Sequence, residues 1–75
     1  MFVVLHLKGE KVRRLYGGVQ EWPDHPDAGH FVLYEACWLM DEGDRKLETV
    51  DCILIPAQDV EMVEIIKASS ANLMN

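Results

Sequence analysis

The side chains best suited to chemistry gather in one loop, Glu-Trp-Pro-Asp-His-Pro-Asp-Ala-Gly from Glu21 to Gly29, and at the residue that follows it. Asp24, His25, Asp27 and His30 place two imidazoles and two carboxylates within seven positions. Imidazole nitrogen and carboxylate oxygen together make a donor set for a divalent transition metal. The spacing matches no closed metal site, and Asp and His beside proline and glycine are also ordinary turn residues. A second candidate is Glu35, flanked by apolar residues on a long strand pattern. Desolvated there it could act as a general acid or base; at a rim or subunit boundary it would pair with Arg13 or Arg14. The third is basic. Lys8, Lys11, Arg13 and Arg14 are four of the seven basic residues and fall within seven positions. They suit an anion or a nucleic-acid backbone, or equally a solvated hairpin whose lysines discourage edge-to-edge aggregation.

Nothing in the chain composes a catalytic signature. There is no Ser-His-Asp arrangement, no nucleophile elbow and no phosphate-binding glycine loop. Cys37 and Cys52 match no zinc or redox spacing and read as reduced thiols packed as small hydrophobes. The expectation is a non-enzymatic protein without a cofactor.

Composition narrows the partners. A chain of 75 residues, 49% hydrophobic and 27% charged, is one globular domain with a thin core. Domains of this size usually add a disulfide, a metal or a second copy of themselves, and here self-association is the economical choice. The net charge of −6 repels nucleic acid and anionic membranes. The opening Met1 to Lys8 lacks the basic start and small-residue cleavage site of a signal peptide. No stretch approaches the ~20 apolar residues that span a bilayer, so a cytoplasmic location is expected.

The elements that must position these residues read as strands. Val3, Leu5 and Leu7 alternate with Val4, His6 and Lys8, giving one strongly apolar face. A polar turn, Lys8 to Lys11, leads into a second strand interrupted by Gly17-Gly18, the mark of a bulge or sharp bend. His30 to Met40 is the longest strand pattern. Strict alternation puts Phe31, Leu33, Cys37 and Leu39 on one face and Val32, Tyr34, Ala36, Trp38 and Met40 on the other. Both faces are apolar, so Val32, Tyr34, Trp38 and Met40 are expected to form a subunit interface. Tyr16, Trp22, Tyr34 and Trp38 could alternatively line a groove for a proline-rich peptide or small ligand. Asp41 to Arg45 reads as a hairpin turn and Leu47 to Ile55 as the returning strand. If that hairpin folds symmetrically about Asp44 and Arg45, Cys37 lies opposite Cys52. After a turn at Pro56 to Asp59, the β-branched Val60 to Ile66 favours a last strand over a helix. Residues 1–67 thus form one domain, and residues 68–75 a tail expected to fray.

Taken together the pattern is all-β, a small strongly bent five-stranded barrel closed by Ile53 to Ile66. It resembles the SH3-like small barrels and, within them, the Sm-like modules. The resemblance rests on Gly17-Gly18 in a bent second strand, on Phe31-Val32-Leu33-Tyr34-Glu35-Ala36 after an Asp-containing loop, and on the closing segment from Ile53 to Ile65. That segment is also similar to barrel ends in uncharacterised bacterial proteins. The resemblance implies the barrel and ring-like oligomerisation. RNA binding is not implied, because Gly29 and His30 stand where Sm-like RNA binders carry an asparagine, and Pro56-Ala57 where they carry an arginine-glycine pair. The expected role is a binding or assembly module that self-associates. The alternatives are a nucleic-acid binder using Lys8, Lys11, Arg13 and Arg14, and a ligand or metal site on the Asp24 to His30 loop.

Overall fold

Alternating apolar residues dominate the first forty positions, and the chain answers them with three long antiparallel strands. The computed structural model describes residues 1–68. It contains β1 (Phe2–Leu7), β2 (Arg13–Glu21), β3 (His30–Leu39), β4 (Arg45–Lys46), β5 (Cys52–Pro56), a 3-10 turn (Ala57–Asp59) and β6 (Val60–Ile65). The sheet runs β4-β3-β2-β1-β6, with β5 also paired to β3. The protein is therefore all-β, and no described helix is long and apolar enough to cross a membrane. Of the tail expected at residues 68–75, residues 69–75 lie outside the described residues.

The ladder sets which side chains meet. On the inner face, Leu5 pairs with Leu15 and Leu15 with Trp38, while Leu33 pairs with both Val19 and Ile53. Val3, Leu5, Leu15 and Leu33 are fully buried, and Leu7, Phe31, Ala36, Ile55 and Ala57 complete the core. Burying each such side chain stabilises by about 1.5–3 kcal/mol. Gly17 belongs to this face, and a Cβ there would come 3.2 Å from both the Leu33 Cβ and the Tyr34 carbonyl oxygen. The glycine lets β3 cross close over β2.

The expected alternation of β3 breaks at Glu35. Glu35 adopts φ 50, in the left-handed region, and the β2–β3 register slips between the pairs Gly18–Tyr34 and Tyr16–Cys37. An extra residue on one strand is a β-bulge, which bends the strand and exchanges its faces. Before the bulge Phe31 and Leu33 point inward; after it Ala36 and Trp38 do. The assignment of Cys37 and Leu39 to the Phe31 face is thus corrected, and so is that of Ala36 and Trp38 to the Val32 face. The bend also lets the two halves of β3 take different partners, β5 along His30–Tyr34 and β4 along Cys37–Trp38.

Two further expectations are corrected. The expected returning strand Leu47–Ile55 is replaced by β4 at Arg45–Lys46 and β5 at Cys52–Pro56 with a gap between them, so the described residues form six strands and not five. The hairpin is consequently not symmetric about Asp44 and Arg45. Cys37 faces Lys46, and Cys52 faces Tyr34, so the thiols are not cross-strand neighbours. Nor does the sheet close into a complete barrel. The 3-10 turn carries the chain from β5, on the β3 edge, to β6, on the β1 edge, and no ladder joins β5 to β6. The last segment is a strand as expected, paired to β1 from Val3–Ile65 to Leu7–Val60.

Candidate functional site

The outer face of the sheet carries an aromatic cluster built around a glycine. Phe2 on β1, Gly18 on β2 and Tyr34 on β3 occupy one row of the ladder. Because Gly18 has no side chain, the flanking rings close over it. A Cβ at Gly18 would lie 2.3 Å from the Tyr34 ring. The Phe2 and Tyr34 rings meet edge to face at 5.8 Å, and Phe2 stacks on Tyr16 at 5.4 Å. Such geometries use the aromatic quadrupole and add to simple burial. Val4 and Cys37 pair with Tyr16 from either side and extend the floor.

The segment between β4 and β5 stands beside this floor as a wall. Floor and wall enclose a groove of about 1010 Å³, to which Leu47 and Val50 contribute apolar surface. Its rim is acidic: Glu35, Asp44, Glu48 and Asp51 are set against Lys46 alone. Within the groove the Cys37 thiol is held above its ordinary pKa by burial, with Asp44 adding to the effect and Lys46 opposing it. A thiol so placed is protonated near neutral pH and a poor nucleophile. Beside the floor, on the same face, His6 pairs with Glu64 across β1 and β6.

A smaller groove of about 680 Å³ lies at the end of the sheet where the β1–β2 and β3–β4 connections meet. Lys11, Arg13 and Arg14 line it, joined by Arg45, which sequence reasoning did not include, with Trp38 between them and Asp41 and Glu42 beside them. Lys8 does not line it; its backbone N–H donates to the Asp59 carbonyl at 2.8 Å.

The other expected sites are dispersed. In the loop, the Asp27 N–H donates to His25 Nδ1 at 3.3 Å and the Ala28 N–H to the His25 carbonyl at 3.2 Å. His30 instead enters β3 opposite Pro56. Among the described residues, no group of three or more His, Cys, Asp or Glu side chains is placed to hold a metal ion. Glu35 is exposed at its bulge and forms no ion pair with Arg13 or Arg14. Val32, Tyr34, Trp38 and Met40 do not share a face. Val32 and Tyr34 point outward, Trp38 packs on the core, and Met40 lies beyond β3. The aromatic set divides similarly, since Trp22 meets Phe31 edge to face at 5.6 Å, away from Tyr16 and Tyr34. Phe2 was missed. Its signal was a strand position level with Gly18, which becomes readable once the β1–β2 register is known.

No protein-family model matches the chain, and a search of curated proteins finds no similar sequence.

Proposed function

We propose that this protein is a non-enzymatic binding and assembly module that self-associates, built on a small barrel of the SH3-like, Sm-like type. The barrel type is supported by the bulge at Glu35, which lets the two halves of β3 take different partners, and by the 3-10 turn that links strands on opposite edges of the sheet. The observation that carries self-association is the apolar surface left uncovered. Val12, Leu54, Met62 and Ile65 are each at least half exposed. Leu54 lies on β5 and the last two on β6, and each of these strands has one edge unpaired among the described residues. A small domain with open edges and exposed aliphatic side chains gains by covering them with another copy. Light scattering coupled to size-exclusion chromatography tests this. Multi-chain species at micromolar concentration are expected, and a single-chain mass throughout would refute it.

Lys11, Arg13, Arg14 and Arg45 around Trp38 favour a second reading, nucleic-acid binding at the smaller groove. Guanidinium groups beside an indole suit a phosphate and a stacked base. The net charge of −6 opposes it. Filter binding of short RNA and DNA at low salt decides, and no retained nucleic acid would dismiss this reading.

A further inference from the structure

The chain carries both an acidic apolar groove and an exposed basic apolar projection. The groove is the one floored by Phe2, Tyr16 and Tyr34 and rimmed by Glu35, Asp44, Glu48 and Asp51. The projection is the β1–β2 turn. The ladder ends at the Leu7–Arg13 pair, so Lys8 to Val12 extend beyond it. At its end Val12 is 85% exposed, the most exposed of the large hydrophobic side chains among the described residues, and it stands between exposed Lys11 and Arg13. Neither of these basic groups is engaged in an ion pair among the described residues, where the one pair is His6 with Glu64.

We propose that the outer-face groove receives the β1–β2 turn of a second copy, with Lys11 and Arg13 meeting the rim carboxylates and Val12 the aromatic floor. This rests on the self-association reading and names its interface. Opposite charges on the two surfaces steer and orient the encounter, and the Tyr and Phe rings add a cation–π contribution. A groove of about 1010 Å³ has room for several side chains of a turn. Turn and groove are different surfaces, so the contact is not reciprocal. Each copy offers a free turn and a free groove, and copies join head to tail into a ring or an open chain.

The test uses the whole chain in three forms: wild type, a turn variant (Lys11→Glu with Arg13→Glu) and a groove variant (Glu48→Lys with Asp51→Lys). All four positions are exposed, and circular dichroism with thermal melting verifies that each form is folded. Wild type should run as multi-chain species that dissociate with added salt, and each variant alone should run at single-chain mass. An equimolar mixture of the two variants should again form multi-chain species, because the intact turn meets the intact groove and the reversed turn meets the reversed groove. The groove variant still offers an intact turn, and the turn variant an intact groove. Association of both variants at wild-type strength would overturn this interface and leave self-association standing. Single-chain variants whose mixture also stays single-chain would overturn it too. A wild type that is single-chain at every concentration would overturn both readings, and would leave the groove to a basic segment of another protein.

Discussion

Replacing Gly18 with alanine is the most direct way to test how the outer face is built. A Cβ at this position would stand 2.3, 2.6 and 2.7 Å from the Cζ, Cε1 and Cε2 atoms of Tyr34. These atoms are the far end of a side chain, so the ring must swing away while the backbone can stay. Its edge-to-face contact with Phe2 is lost, at about 0.5–1.5 kcal/mol for an aromatic pair. Exposure of roughly 40 Å² of ring costs about 1 kcal/mol more. Alanine returns about 0.5–1 kcal/mol, because glycine is the poorer strand residue. The net expectation is a loss of about 1 kcal/mol, or roughly 4–8 °C in Tm for a domain of this size. The informative measurement is the same substitution in a Tyr34→Ala background. With no ring to displace, Gly18→Ala should there stabilise by about 0.5–1 kcal/mol. The sign inverts, and the coupling between the two positions is about 2 kcal/mol, within the span that contacting residues show. Urea unfolding of the four proteins, followed by circular dichroism, reads all of these values. Should Gly18→Ala cost the same with and without the Tyr34 ring, the glycine serves the backbone and the account of the aromatic row is wrong.

The two cysteines should differ in reactivity. An aromatic disulfide reagent should label exposed Cys52 well before buried Cys37, and mild oxidation should yield no intramolecular disulfide; a rapid one would contradict the register that sets Cys37 against Lys46 and Cys52 against Tyr34. The raised pKa of Cys37 in the folded chain means that the unfolded thiol ionises first as pH rises. That contribution is fully present below the ordinary thiol pKa of about 8.5 and is lost as pH climbs through the raised value. Cys37→Ala should therefore flatten the alkaline fall in stability measured by urea midpoint, and an unchanged slope would remove the argument. At Glu35, held at φ 50, glycine should be neutral or stabilising by up to about 1 kcal/mol, since the left-handed region costs an L side chain about 1–2 kcal/mol. Glu35→Val should be clearly worse than Glu35→Gly, because β-branched residues tolerate that region least; equal melting temperatures would show that the bulge does not persist in solution.

That bulge also explains where sequence reasoning stopped. Local alternation made β1 legible, and the Pro/Gly/Asp chemistry of Glu21 to Gly29 made the loop legible. The β-branched Val60 to Ile65 settled the last strand against a helix. Each depends on neighbours in the chain. The β3 faces do not, because one residue taking a left-handed conformation moves every later side chain to the other side of the sheet. Glu35 gives no warning of this, whereas a glycine there would have. The same single-residue shift undid two expectations together: a shared face for Val32, Tyr34, Trp38 and Met40, and the placement of Cys37 with the core row of Phe31. It also assembled the groove. Once the faces exchange, Cys37 and Leu39 follow Tyr34 along the outer side, while Trp38 turns in to meet Leu15. Leu47 still donates its backbone N–H to the Ala36 carbonyl, and the break between β4 and β5 leaves Glu48 to Asp51 out of the ladder, to stand as the wall of the groove. A continuous strand from Leu47 to Ile55 would have extended the sheet and left no wall. The irregularities that sequence patterning could not supply are therefore the features that shape the candidate site, and regular alternation, which it could supply, built the core beneath.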